Sequence, residues 1–73
     1  MAGEEETIEG RVVAYSHIYN GAAVTATKVF FADGTELVVE GHLQFPPLAT
    51  YGIRFIRKPK GPATFKGIEL LAG

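Results

Sequence analysis

From Thr7 to Ile18 the chain alternates with a strict period of two. Ile8, Gly10, Val12, Ala14, Ser16 and Ile18 form one row, and Glu9, Arg11, Val13, Tyr15 and His17 the other, with Tyr19 just beyond. A helix would need apolar residues three and four apart, whereas side chains that alternate between two environments define a half-buried strand. The even row is the apolar one and is expected to face inward. Gly10 inside so long a strand predicts a bend or bulge, the device by which a small barrel turns a corner.

The same alternation, punctuated by glycine turns, continues along the chain and predicts four more strands. Asn20-Gly21 reverses the chain into a strand over 22–32. A two-residue loop pairing Tyr19 with Ala22 would put Val24 on the His17 face. A three-residue loop, Tyr19-Asn20-Gly21, instead pairs Ser16 with Val24 and Ala14 with Ala26, with Gly21 left-handed. The inward positions then pass from even (Val24, Ala26) to odd (Val29, Phe31), which predicts a bulge at Thr27-Lys28. By the same parity rule Ala32-Asp33-Gly34 is a three-residue loop that opposes Val29 to Leu37. The third strand, over 35–40, then sends Leu37 and Val39 inward and sets Lys28 between Glu36 and Glu40 outside. From Gly41 to Thr50 the pattern lapses, and Pro46-Pro47 forbids a regular helix or a ladder-bonded strand. Leu43, Phe45 and Leu48 are expected to pin this crossing segment. A fourth strand over 51–58 buries Ile53 and Phe55, and after the Pro59-Lys60-Gly61-Pro62 turn a fifth runs over 63–71. There Ile68 and Leu70 are expected to face inward, while Phe65 and Leu71 argue for the opposite phase, which leaves that register open.

Two tight hairpins, one long connection and one further hairpin make the order of a five-stranded OB-like barrel. An SH3-like barrel, in which the long loop comes early, is the alternative. With 73 residues and no cysteine, the chain forms one domain whose stability rests on packing alone. Residues 1–6, with Glu4, Glu5 and Glu6, read as a disordered acidic tail ahead of a domain spanning 7–73. No apolar run is long enough to cross a membrane and no basic-apolar leader is visible, so a cytoplasmic, membrane-free protein is expected.

Nothing in the sequence assembles a catalytic site, and no enzyme activity, metal or cofactor is expected. His17 and His42 lack partners at metal-ligand spacing, Ser16 has no nucleophile elbow, and the scattered glycines form no phosphate loop. The chain should therefore act through its surface. The formal charge is -1, yet from His42 onward Arg54, Arg57, Lys58, Lys60 and Lys66 stand against Glu69 alone. Tyr15, Tyr19 and Phe30 on adjoining outer positions, with Arg54, Lys58 and Lys60, form a candidate surface for single-stranded nucleic acid, where rings stack on bases and cations follow phosphates. A different class of function is equally open. With 47% hydrophobic residues and with Val13, Phe30 and Val38 on outward positions, the domain could self-associate or dock on a protein partner by strand addition. The bland reading of Tyr15 and Phe30 is that they cover a rim or pack under the crossing segment.

Overall fold

A computed structural model describes residues 3–73, and among these there is no helix. Five strands form one antiparallel sheet: β1 (Glu5–Asn20), β2 (Ala23–Phe31), β3 (Glu36–Glu40), β4 (Ala49–Ile56) and β5 (Thr64–Ala72). Their order across the sheet is β3-β2-β1-β4-β5. The all-β expectation holds, but the sheet is not closed into a barrel. A single parallel bridge, Val39 to Ala63, joins β3 to the residue ahead of β5, where Glu40 N–H bonds Ala63 O at 2.8 Å and Ala63 N–H bonds Val38 O at 2.9 Å.

The long β1 is the shared member of both halves. Its first part, Glu5 to Val12, pairs with β4, and its later part, Val12 to Asn20, with β2. The strand starts at Glu5, two residues before the expected Thr7, because Glu5 and Glu6 of the supposed tail continue the ladder to β4 opposite Ile56 and Phe55. Glu5 lies 3.8 Å from Arg54 and Glu6 2.9 Å from Arg57. Met1 and Ala2 of that tail lie outside the described residues.

A shorter, later loop and two bulges overturn the expected register of the first hairpin. The loop has two residues, Gly21-Ala22, so that Asn20 opposes Ala23 and Tyr19 opposes Val24. Thr25 is then skipped, and Ile18 opposes Ala26, Ser16 opposes Lys28 and Ala14 opposes Phe30. The bulge on β2 thus falls at Thr25, and Thr27 and Lys28 pair regularly. A second bulge at Val13 separates Val12–Phe31 from Ala14–Phe30. An extra residue shifts the pleat by one, so β1 faces inward through Ile8, Gly10 and Val12 and then through Tyr15 and His17. Gly10 itself is not bulged. It opposes Tyr51, and the Phe31 ring lies over it, Cδ1 being 3.0 Å from where a Cβ would stand.

The second hairpin agrees with its parity argument. Val29 opposes Leu37, and Ala32-Asp33-Gly34 is a three-residue loop closed by Phe31 N–H to Thr35 O at 2.9 Å. The Asp33 carboxylate accepts the Thr35 N–H at 2.9 Å, and this bond holds its pKa below the usual aspartate value. Gly34 has φ +94° with open space around it. Gly34→Val is therefore expected to cost about 1 kcal/mol through backbone strain alone. A urea melt of the variant, with an unchanged denaturant slope, checks this.

The core is Val12, Val29, Phe31, Leu37, Val39, Ala49, Tyr51, Ile53, Phe55 and Ala63, with Ile8, Leu43, Phe45 and Phe65 packed against it. Leu48 does not pin the crossing segment with its side chain, which is 58% exposed; at φ +65° it holds the segment through its N–H, 2.7 Å from Val12 O. The two phases that compete in β5 are both used. Ile53 opposes Ile68 and Tyr51 opposes Leu70, then Lys66 is skipped and Phe55 opposes Phe65.

Candidate functional site

The residues expected to form one stacking surface are distributed over both faces of the sheet. Tyr15 opposes Val29 and points to the core side, half-buried, with its ring centroid 5.0 Å from that of Phe45. Phe30 opposes Ala14 on the other face, half-buried, with Lys28 Nζ 5.4 Å from its ring centroid. The Val13 bulge is what separates them, so the expected adjacency of Tyr15 and Phe30 does not occur. Tyr19 stands 63% exposed near the β1–β2 turn. Arg54 lies on the outer face of β4, while Lys58 and Lys60 follow that strand.

Electrostatics divide the basic residues further. Of the seven cations, Lys28 pairs with Glu36 at 2.9 Å, Arg54 with Glu5, Arg57 with Glu6, and Lys58 with Glu40. Among the described residues, Arg11, Lys60 and Lys66 have no carboxylate within 4.0 Å. Exposed pairs of this kind add little stability, yet each must be broken before its cation can serve a phosphate. The cleft lined by Glu36, Arg57, Lys58 and Ala63, of about 150 Å³, holds both signs of charge and is no phosphate cradle.

Below the crossing segment runs a row of rings that single residues in the sequence do not reveal. His42 meets His17 edge-on at 4.4 Å between centroids, His17 lies 5.4 Å from Tyr15, and Phe45 bridges Tyr15 and Tyr51 at 5.0 Å each. The row is tied to the backbone. His17 Nε2 is 2.9 Å from Leu43 O, and Tyr51 O–H donates to Pro46 O at 2.6 Å. Thr27, buried, donates to Gly41 O at 2.9 Å and accepts from Leu43 N–H at 3.0 Å. These groups satisfy one another, and among the described residues no three His, Asp or Glu converge as metal ligands. The row is a packed seam between β1 and the crossing segment.

An open strand edge beside exposed apolar side chains lies at β5. This strand pairs with β4 on one side, and beyond the Ala63 bridge no strand among the described residues covers its other side. Its backbone donors and acceptors on that side stand open, beside Leu70 at 61% exposure, Leu71 at 42% and Ile68 at 36%. Ile68 and Leu70 share the core face with Ile53 and Tyr51, as the alternation predicts, but lie past the edge of the core and are not covered. The signal that could have marked them is that β5 is apolar in both phases, whereas a strand with one solvated face is apolar in one. No protein-family model matches this chain, nor does any curated protein or solved structure.

Proposed function

We propose that this chain is a small interaction module, OB-like in plan, that docks on another polypeptide along the free edge of β5. The observation that carries the reading is that edge: an open row of main-chain groups flanked by exposed Ile68, Leu70 and Leu71. An added strand would satisfy the backbone groups and cover the apolar side chains at once, which is how strand-addition modules obtain affinity from the ladder and selectivity from alternate side chains. The OB-like plan draws support from β1 lying between β2 and β4 and from the parallel approach of β3 to Ala63.

Single-stranded nucleic acid is the weaker reading. It needs Tyr15 and Phe30 on one face, and it needs cations that are not already paired with carboxylates. A chemical-shift titration with two probes decides between the two. An extended peptide of alternating valine and threonine, capped with lysines, is expected to move amide signals of Thr64–Ala72. An oligothymidine strand at low salt is expected to move none. Shifts at Tyr19, Phe30 and Lys60 with oligothymidine, and none with the peptide, would reverse the assignment.

A further inference from the structure

Resting on that docking reading, we infer that the occupant of the β5 edge is a second copy of this chain, paired antiparallel about a two-fold axis at Ile68. Bulges at Lys66 and Leu71 leave Gly67 to Leu70 as the regular stretch of β5, so any added ladder is short and its centre is confined to a few residues. A two-fold axis perpendicular to the sheet opposes residues of the same face, and charge then selects among the possible centres.

Gly67 opposes Arg54, and the Arg54 guanidinium lies directly over Gly67, filling the space a Cβ would take. An axis at Gly67 would bring two such guanidinium groups together. An axis at Glu69 would bring two carboxylates together. An axis at Ile68 sets Ile68 against its own copy, with Leu70 of each copy at an end of the short ladder. On the outer face it places Glu69 of each copy opposite Gly67 of the other, against the Arg54 that covers it, whose partner within its own chain, Glu5, stands 3.8 Å away. Glu69 has no cation within 4.0 Å among the described residues, so this crossing supplies the partner that its own chain does not. Gly67 is the residue that makes the approach possible, since any side chain there would push Arg54 away from the edge.

So short a ladder belongs among weak, transient interfaces, and association should be sought at high chain concentration. Sedimentation equilibrium of the full chain is expected to show mass rising with concentration toward twice the monomer. E69K alone and R54E alone each place like charges at both crossings, and each is expected to lower the association constant by about tenfold or more. An equimolar mixture of the two is expected to associate again, because both crossings then join opposite charges. Arg54 is exposed, as is Glu69, so circular dichroism of each variant should match the parent. Variants that self-associate as well as the parent, or a mixture that stays monomeric, would overturn the pairing. A parent chain that stays monomeric while the valine-threonine peptide still shifts β5 overturns self-pairing and leaves docking on a foreign strand. If neither occurs, both readings fall.

Discussion

Phe55→Ala is expected to lower the melting temperature by about 15–30 °C, the largest effect of any single truncation in this chain. The ring is 0% exposed and sits in β4 between Glu6 of β1 and Phe65 of β5, with the Arg57 guanidinium 5.2 Å from its centroid. Removing a buried aromatic ring costs about 3–5 kcal/mol, from lost transfer free energy and from the cavity left behind. A domain of this size has a margin near the lower end of the usual range of roughly 5–15 kcal/mol. No disulfide is available to hold the chain together, since it contains no cysteine. Phe55→Leu keeps most of the volume and should lose less than about 1.5 kcal/mol. Phe30→Ala, at a half-buried position on the other face, should fall well short of Phe55→Ala. Thermal melts of the three variants check the order, and a Phe55→Ala melt within a few degrees of the parent would contradict the core described above.

The contrast between Phe55 and Phe30 shows what alternation makes legible. In β4 the ladder to β1 runs without a bulge, and the expected burial of Ile53 and Phe55 is found. In the second hairpin nothing interrupts Ala26 to Phe30 against β3, and Val29 opposes Leu37 as parity requires. The first hairpin fails because parity propagates from the turn only if no residue is skipped. Thr25 and Val13 are both skipped, and neither carries a sign of it: each is a β-branched residue in a strand-rich stretch. One consequence is local and one is not. The loop is shorter than expected, and Tyr15 and His17 turn from solvent to the crossing segment.

That turn decides the candidate surface as well. Of the rings that read as a stacking platform, Tyr15 becomes part of a seam with His17, Phe45 and His42, the last two from a segment whose path no periodicity describes. The carboxylates that neutralise the basic half come from distant positions: Glu5 and Glu6 at one end of the chain meet Arg54 and Arg57 of β4 and its exit. A count of charge by halves cannot register pairing between the halves. The β5 edge, by contrast, was within reach of the sequence. A last strand with Phe65, Ile68, Leu70 and Leu71 in both phases has more apolar surface than one core face can take, and its surplus is what stands exposed.

The seam yields the second large effect. Thr27→Val is expected to cost about 2–3 kcal/mol although it preserves the shape of the side chain. The Thr27 hydroxyl is the buried link between β2 and the crossing segment, donating to Gly41 O and accepting from Leu43 N–H. An isosteric methyl satisfies neither group, and a buried donor left without a partner costs more than the net worth of the bond it loses. Thr27→Ser retains the hydroxyl and should recover most of the loss, which separates hydrogen bonding from volume. The damage should also have a location. With Leu43 released, His17 loses the geometry of its bond to Leu43 O and Phe45 its seat on Tyr15, so amide exchange should accelerate from Gly41 to Phe45. The β4–β5 ladder, which shares no hydrogen bond with Thr27, should keep its native exchange rates relative to global stability. A Thr27→Val chain as stable as the parent, with the Leu43 amide still protected, would show that the crossing segment is held by Phe45 and Tyr51 packing and not by the threonine.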